Sequence, residues 1–181
     1  MTHPIISVIM PRALVVVDYQ SDFVTGSLGS SYAEAIEHNI VSKIEEHLGS
    51  GAEVFFTMDT HGRDYLETDE GRHIPVEHCI RGTPGWLVHG KVAGYQNRGR
   101  TIEKGTFGSL DIVGMLNGFD EIEVCGVATN ICVIANALIL KTAYPDSKVI
   151  VDANCVASYD KDLHRKALDV MRSLSIDITG E

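Results

Sequence analysis

Ala13-Leu-Val-Val-Val-Asp18 is the stretch from which the fold can be read. Five apolar residues, three of them β-branched, run without alternation into a carboxylate. An alternating pattern would mark a strand with one wet face. An unbroken apolar run marks a strand covered on both faces, the signature of a parallel sheet between helix layers. Working outward, Ser31 to Leu48 carries Ala33, Ile36, Ile40, Ile44 and Leu48 at helical spacing and meets Gly49, a C-cap residue. Strands are expected over 53–58, 100–103, 121–126, 148–152 and 176–179. Helices are expected over 109–116, 130–143 and 160–174. Residues 62–99 form a long irregular stretch rich in Gly, Pro and His, and a loop of that length in a compact domain is usually functional. The alternation predicts one α/β domain over residues 1–181, with a mostly parallel sheet of about six strands and helices on both faces.

Composition narrows the function. The chain has 181 residues, 44% hydrophobic and 22% charged, which is globular rather than disordered or fibrous. The formal net charge is −10, which argues against nucleic acid, whose backbone needs a basic surface. It suits a small neutral or cationic partner instead. No apolar run approaches the ~20 residues of a membrane span. Met1 to Pro11 has neither a basic start nor a cleavage site, so it does not read as a signal peptide. Cys79, Cys125, Cys132 and Cys155 make no C-x-x-C pair, and a reduced, cytoplasmic setting is expected. Symmetric homo-oligomers are common among soluble enzymes, but nothing in the composition sets a number.

In parallel sheets, ligands bind beyond the carboxyl ends of the strands. Asp18 ends the first strand, Asp59 and His61 follow the second, Lys104 ends the third, and Gly126-Val-Ala-Thr-Asn-Ile-Cys132 follows the fourth. With Thr129 or Asn130 as N-cap, Cys132 falls in the first helical turn. Free N–H groups and the helix dipole favour a thiolate there and can support an oxyanion. A carboxylate at Asp18 can accept the thiol proton, and Lys104 can hold developing negative charge. Taken singly, each has a plainer reading: a packed cysteine, a turn-capping aspartate, a solvated lysine. Asp59-Thr-His61, with His78 further on, offers a carboxylate and two imidazoles to a divalent ion such as Zn²⁺, Fe²⁺ or Mn²⁺. Cys79 could instead close a structural zinc site with the same three. The histidines could equally be loop residues without a metal. Glu67, Asp69, Glu70 and His73 are further ligand candidates between which spacing does not choose.

Val15-Val-Val-Asp18-Tyr-Gln-Ser-Asp-Phe23, Lys104-Gly-Thr-Phe107 and Gly126-Val-Ala-Thr-Asn-Ile-Cys132-Val resemble, in order, three motifs of the isochorismatase-like cysteine hydrolases. Asp152 and Ser158 also fit, so the likeness covers most of the chain. The resemblance implies a triad of Asp18 (base), Lys104 and Cys132 (nucleophile). It also implies a cis peptide between Val127 and Ala128, and an oxyanion site made by the Ala128 and Cys132 N–H groups. Met58-Asp-Thr-His61 and Val76-Glu-His78-Cys-Ile-Arg-Gly-Thr-Pro84-Gly85 are similar to the nicotinamidase branch, which implies a metal, zinc foremost, that holds the pyridine nitrogen and waters. Nicotinamide would become nicotinate and ammonia through a thioester on Cys132, a step in NAD metabolism.

The chain departs from that branch at three places. Ile74-Pro75 stands where a tryptophan wall is usual, Asn130 where aspartate is usual, and Thr25-Gly-Ser-Leu28 is a shortened loop. Phe23 is then the aromatic wall expected for the substrate, and Trp86 reads as loop packing. Two rival functions follow: a hydrolase of the same family acting on another amide, carbamoyl group or enol ether, and a non-catalytic metal- or ligand-binding domain of the same fold.

Overall fold

A computed structural model describes residues 10–181; residues 1–9, most of the stretch read above for leader features, lie outside them. Six strands form one sheet: β1 (Arg12–Val17), β2 (Glu53–Asp59), β3 (Arg100–Lys104), β4 (Glu121–Val127), β5 (Lys148–Ala157) and β6 (Asp177–Thr179). Their order is β3-β2-β1-β4-β5-β6, and every adjacent pair is parallel. The chain winds outward from β1 to β3, then restarts on the other side of β1 with β4. The crevice between the ends of β1 and β4 is therefore the topological switch point, where doubly wound sheets bind ligands.

The helices are α1 (Ser21–Val24), α2 (Ser31–Ala35), α3 (Glu37–Gly49), α4 (Asp69–His73), α5 (Asp111–Met115), α6 (Ile134–Ala143) and α7 (Lys161–Ser173). They cover both faces. Leu14 and Val16 of β1 enter one core with Ile40 and Ile44 of α3. Ala13, Val15 and Val17 enter the other with Ala137 and Leu140 of α6 and Leu168 and Met171 of α7. Residues 13–17 are all at most 1% exposed, and each buried aliphatic contributes roughly 1.5–3 kcal/mol. That two-sided burial is why the run carries no polar alternation. No helix among the described residues is long and apolar enough to cross a membrane.

The structure differs from expectation in four places. The helix expected over 31–48 is two helices, because the chain turns at Ile36 (φ −90°, ψ −3°), and Ala33, Ile36, Ile40 and Ile44 still reach one core. It closes past Gly49, at Ser50, with Gly51 in the left-handed region (φ 80°). Strand β5 runs on to Ala157 because the register jumps between Val124 and Gly126, so the polar residues near Asp152 mark a bulge rather than an end. The helix expected from residue 130 begins as a π-helical turn, Thr129–Val133, and α6 follows it.

Candidate active site

The switch point gathers the reactive residues. Asp18 leaves β1 at φ 47°, in the left-handed region that aspartate tolerates better than most residues. It is fully buried, and Thr57 Oγ1 of β2 donates to its Oδ1 at 2.7 Å. Its Oδ2 lies 2.6 Å from Lys104 Nζ, outside hydrogen-bonding alignment, and accepts no other hydrogen bond from the described residues. Lys104 Nζ also donates to the Thr106 carbonyl (2.9 Å), approaches Asp59 Oδ1 (3.4 Å) and sits 3.7 Å from Cys132 Sγ. One buried ammonium thus touches two carboxylates and a thiol.

Charge follows from that packing. Burial pushes the Lys104 ammonium toward deprotonation, but Asp18, Cys132 and Asp59 outweigh it and hold its pKa above the ordinary value. Burial raises Asp18 and, to a lesser extent, so does Asp59, against the pull of Lys104. Burial and the neighbouring Asp18 hold the Cys132 thiol well above its ordinary value, although Lys104 opposes them. Burial and Asp18 thus work against the thiolate that a helix start favours, and Lys104 works for it. Neither expected N-cap is one. Thr129 Oγ1 bonds His164 Nδ1 (2.8 Å), and Asn130 Oδ1 accepts from Ser158 Oγ (2.6 Å). Ala128 precedes the turn without a side-chain cap, and the Val127–Ala128 peptide is cis.

Beside this cluster, Asp59, His61, Glu70 and His78 each aim one donor atom into a common space, all four within 4.8 Å of one another. Asp59 Oδ2 is 2.9 Å from His61 Nε2 and 3.4 Å from His78 Nε2. Glu70 Oε1 is 3.7 Å and 3.8 Å from the same two nitrogens. His78 Nδ1 is 2.8 Å from the Val76 carbonyl, which fixes the proton on Nδ1 and leaves Nε2 a lone pair aimed inward. Two imidazoles and two carboxylates converging in a buried space fit a divalent ion such as zinc, iron or manganese. Glu70, in α4, is thus the fourth residue that converges there, whereas Glu67 before α4 and Asp69 and His73 within it are exposed. Cys79 does not belong to the group: at φ 47° its backbone N–H donates to Asp22 Oδ2 (2.8 Å), which holds the His78 turn in place.

Three buried amides and hydroxyls outside the expected set lock the site. Gln20 donates to the Asp59 and Trp86 carbonyls and accepts from the Asp59 N–H. Asn136 donates to the Cys132 and Phe107 carbonyls and accepts from Ser109, so it ties the cysteine turn to the lysine loop. Thr57 orients Asp18 as described. Gln20 falls within the Val15–Phe23 motif and Asn136 is a lone amide within the apolar run of α6, whereas nothing in the sequence marks Thr57. The cavity over the site, of about 40 Å³, is lined by Phe23, Asp59, Glu70, His78, Phe107 and Cys132 among others. Phe23 stacks against His78 with ring centres 5.4 Å apart, and Ile74 completes that wall. Trp86 lies outside the cavity, its Nε1 donating to Thr60 Oγ1 and its ring facing Arg81.

Known proteins resemble both the sequence and the shape. The curated nicotinamidase/pyrazinamidase of Mycobacterium tuberculosis is 29% identical over 188 residues, covering 92% of this chain and 97% of its own. An isochorismatase family protein of Bacillus subtilis is 30% identical over 174 residues, covering 88% and 93%. The crystal structure of a pyrazinamidase of Pyrococcus horikoshii in complex with zinc superposes with a TM-score of 0.80 at 27% identity, covering 94% of this chain and 99% of that one. The isochorismatase domain model matches residues 12–180, from the first residue of β1 to the end of the sheet and beyond, and the chain belongs to the isochorismatase family.

Proposed function

We propose that the protein is a metal-assisted cysteine amidase that hydrolyses a small carboxamide, with nicotinamide the leading substrate and nicotinate and ammonia the products. The observation that carries this reading is the buried ammonium of Lys104, 2.6 Å from Asp18 and 3.7 Å from Cys132, beneath a cavity that Cys132 lines together with Asp59, Glu70 and His78 of the donor set. The similarity to nicotinamidases from several organisms supports the substrate.

The chemistry is assigned as follows. Asp18 Oδ2, which lacks another donor, takes the Cys132 proton as Sγ attacks the carboxamide carbon. The Ala128 and Cys132 N–H groups receive the oxyanion. Lys104, kept cationic by its neighbours, pairs with the Asp18 carboxylate before the transfer and steadies the negative charge on sulfur as the proton leaves it. Asp18 returns the proton to the departing nitrogen, and ammonia leaves a thioester on Cys132. Asp18 then takes a proton from water as the water attacks the thioester. The carboxylate product departs, and the proton returns to sulfur. A divalent ion held by the four donors would supply a Lewis acid for the pyridine nitrogen and for water. Zinc is the ion we assign, as in the P. horikoshii structure, and the same donors suit iron or manganese. Four free cysteines suit a reducing, cytoplasmic setting and a role in NAD metabolism.

Ammonia release from nicotinamide by the metal-loaded protein, before and after chelation, tests the reading. Release that chelation removes and zinc restores is expected. A metal-loaded protein that frees no ammonia from nicotinamide overturns the substrate.

A further inference from the structure

The cavity over Cys132 does not end at its wall. A second chamber of about 150 Å³, open on one side to solvent, shares Phe23, Leu28, Ile74, Ala128 and Ile131 with it. The far side of the chamber is made by Ala33, Val127 and Ala157, all buried. Its polar residues have little to offer a ligand. The Ser158 hydroxyl donates to Asn130 Oδ1 at 2.6 Å, and the Ser30 hydroxyl accepts from the Ala33 N–H as the cap of α2. Tyr159, 58% exposed, stands at the mouth.

We propose that this chamber is a substrate subsite that receives an apolar substituent on the acyl part of the amide. The preferred substrates are then aromatic carboxamides bearing a short hydrocarbon group remote from the carbonyl. The proposal rests on the amidase reading above. Two placements decide which part of the substrate enters. Phe23 and Ile74 line both spaces, and Phe23 stacks on His78, so the acyl ring held between the donor set and Cys132 lies against the shared wall. Asp18 and Lys104, toward which the leaving nitrogen must turn to be protonated, do not line the chamber. A polar group there would lose its water without gaining a partner, whereas a hydrocarbon would not.

The test compares nicotinamide with its methyl, ethyl and propyl derivatives at ring carbons 5 and 6, and with hydroxymethyl analogues at the same positions. For the metal-loaded protein, one alkyl position should gain about fourfold in kcat/KM per added methylene, and the hydroxymethyl compound should not. Ala33→Leu, which fills the chamber away from Cys132, should remove the gain while nicotinamide itself, which leaves the chamber empty, is still turned over. Turnover of nicotinamide with no gain at either alkyl position overturns the subsite and leaves the amidase reading standing. If no compound releases ammonia, calorimetric titration of Cys132→Ala separates the two ideas. Tighter binding of the alkyl compounds supports the chamber while the amidase chemistry falls, and equal or absent binding overturns the chamber as well.

Discussion

Asp18 carries the most demanding assignment in the site. It is buried, bent into the left-handed region, hydrogen-bonded at one oxygen by Thr57 and paired with Lys104 at the other. An asparagine in its place would keep the shape, tolerate the same backbone and still accept from Thr57. It could not accept a proton. Asp18→Asn should therefore lower kcat by about 10²–10⁴-fold, with a smaller effect on KM, while circular dichroism shows the fold intact. A kcat within about tenfold of the parent enzyme, below that general-base range, would remove Asp18 as the base. Asp18, Lys104 and Cys132 were legible in the sequence because each ends or follows an expected strand, and the geometry of parallel sheets sends such residues to one edge. Glu70 was not legible: four acidic or imidazole side chains fall within seven residues, and only the path of the loop past His61 selects one. Gln20 and Asn136 were missed for a different reason. Their importance lies in backbone groups on distant segments, which no spacing rule reveals.

At the scale of elements, the segment that turns Cys132 into the site depends on two unlike supports. Gly126 (φ 109°) lets β4 press against β1; a Cβ there would fall 2.1 Å from the Val17 carbonyl oxygen. Past it, the π-helical turn lies against α7, where Thr129 bonds His164. A helix could be expected after residue 130, but not its π-helical opening, because that opening is set by contacts from α7 rather than by local preference. The same contact makes the turn sensitive to acid. Burial holds His164 below its ordinary pKa of 6.5, and Glu181 offsets this only in part. The folded chain then binds fewer protons at this site than the unfolded chain. Its stabilising contribution is full above the unfolded value, roughly 6.5, and is lost as pH falls below it toward the folded value. The melting temperature should decline below about pH 6.5, and His164→Gln should flatten that decline. An unchanged pH profile in His164→Gln would show that the imidazole does not titrate against folding. Nothing in the sequence marks His164 for this contact, because α7 is polar along much of its length and the partner sits thirty-five positions away.

For the whole molecule, one winding pattern explains both the stability and the site. Two apolar layers bury β1 completely, and the reversal of strand order beside it opens the crevice in which the thiol, the ammonium and the donor set meet. This architecture was legible from apolar runs alone, since a strand without alternation has few alternatives. The donor set is where the fold and its ion become one thermodynamic problem. Asp59, His61, Glu70 and His78 come from β2 and from the loop that follows it, so an ion held by all four cross-links the sheet edge to its longest irregular segment. The acidic chain, at −10, also favours cation capture. An ion that binds only the folded state at 100 times its Kd adds about 2.7 kcal/mol. In a domain of this size each kcal/mol moves Tm by ~2–4 °C. Chelation should thus lower Tm by roughly 5–10 °C on those two scales, and zinc should restore it in proportion to the logarithm of its concentration. His78→Ala removes one donor without touching Asp18, Lys104 or Cys132, so that variant should melt at nearly the same temperature with and without zinc. Zinc stabilising His78→Ala as strongly as the parent protein would place the ion elsewhere. A chelated parent protein that does not respond to zinc at all would make the four converging side chains a polar network of the apo fold, held by the ion pair between Asp59 and Lys104.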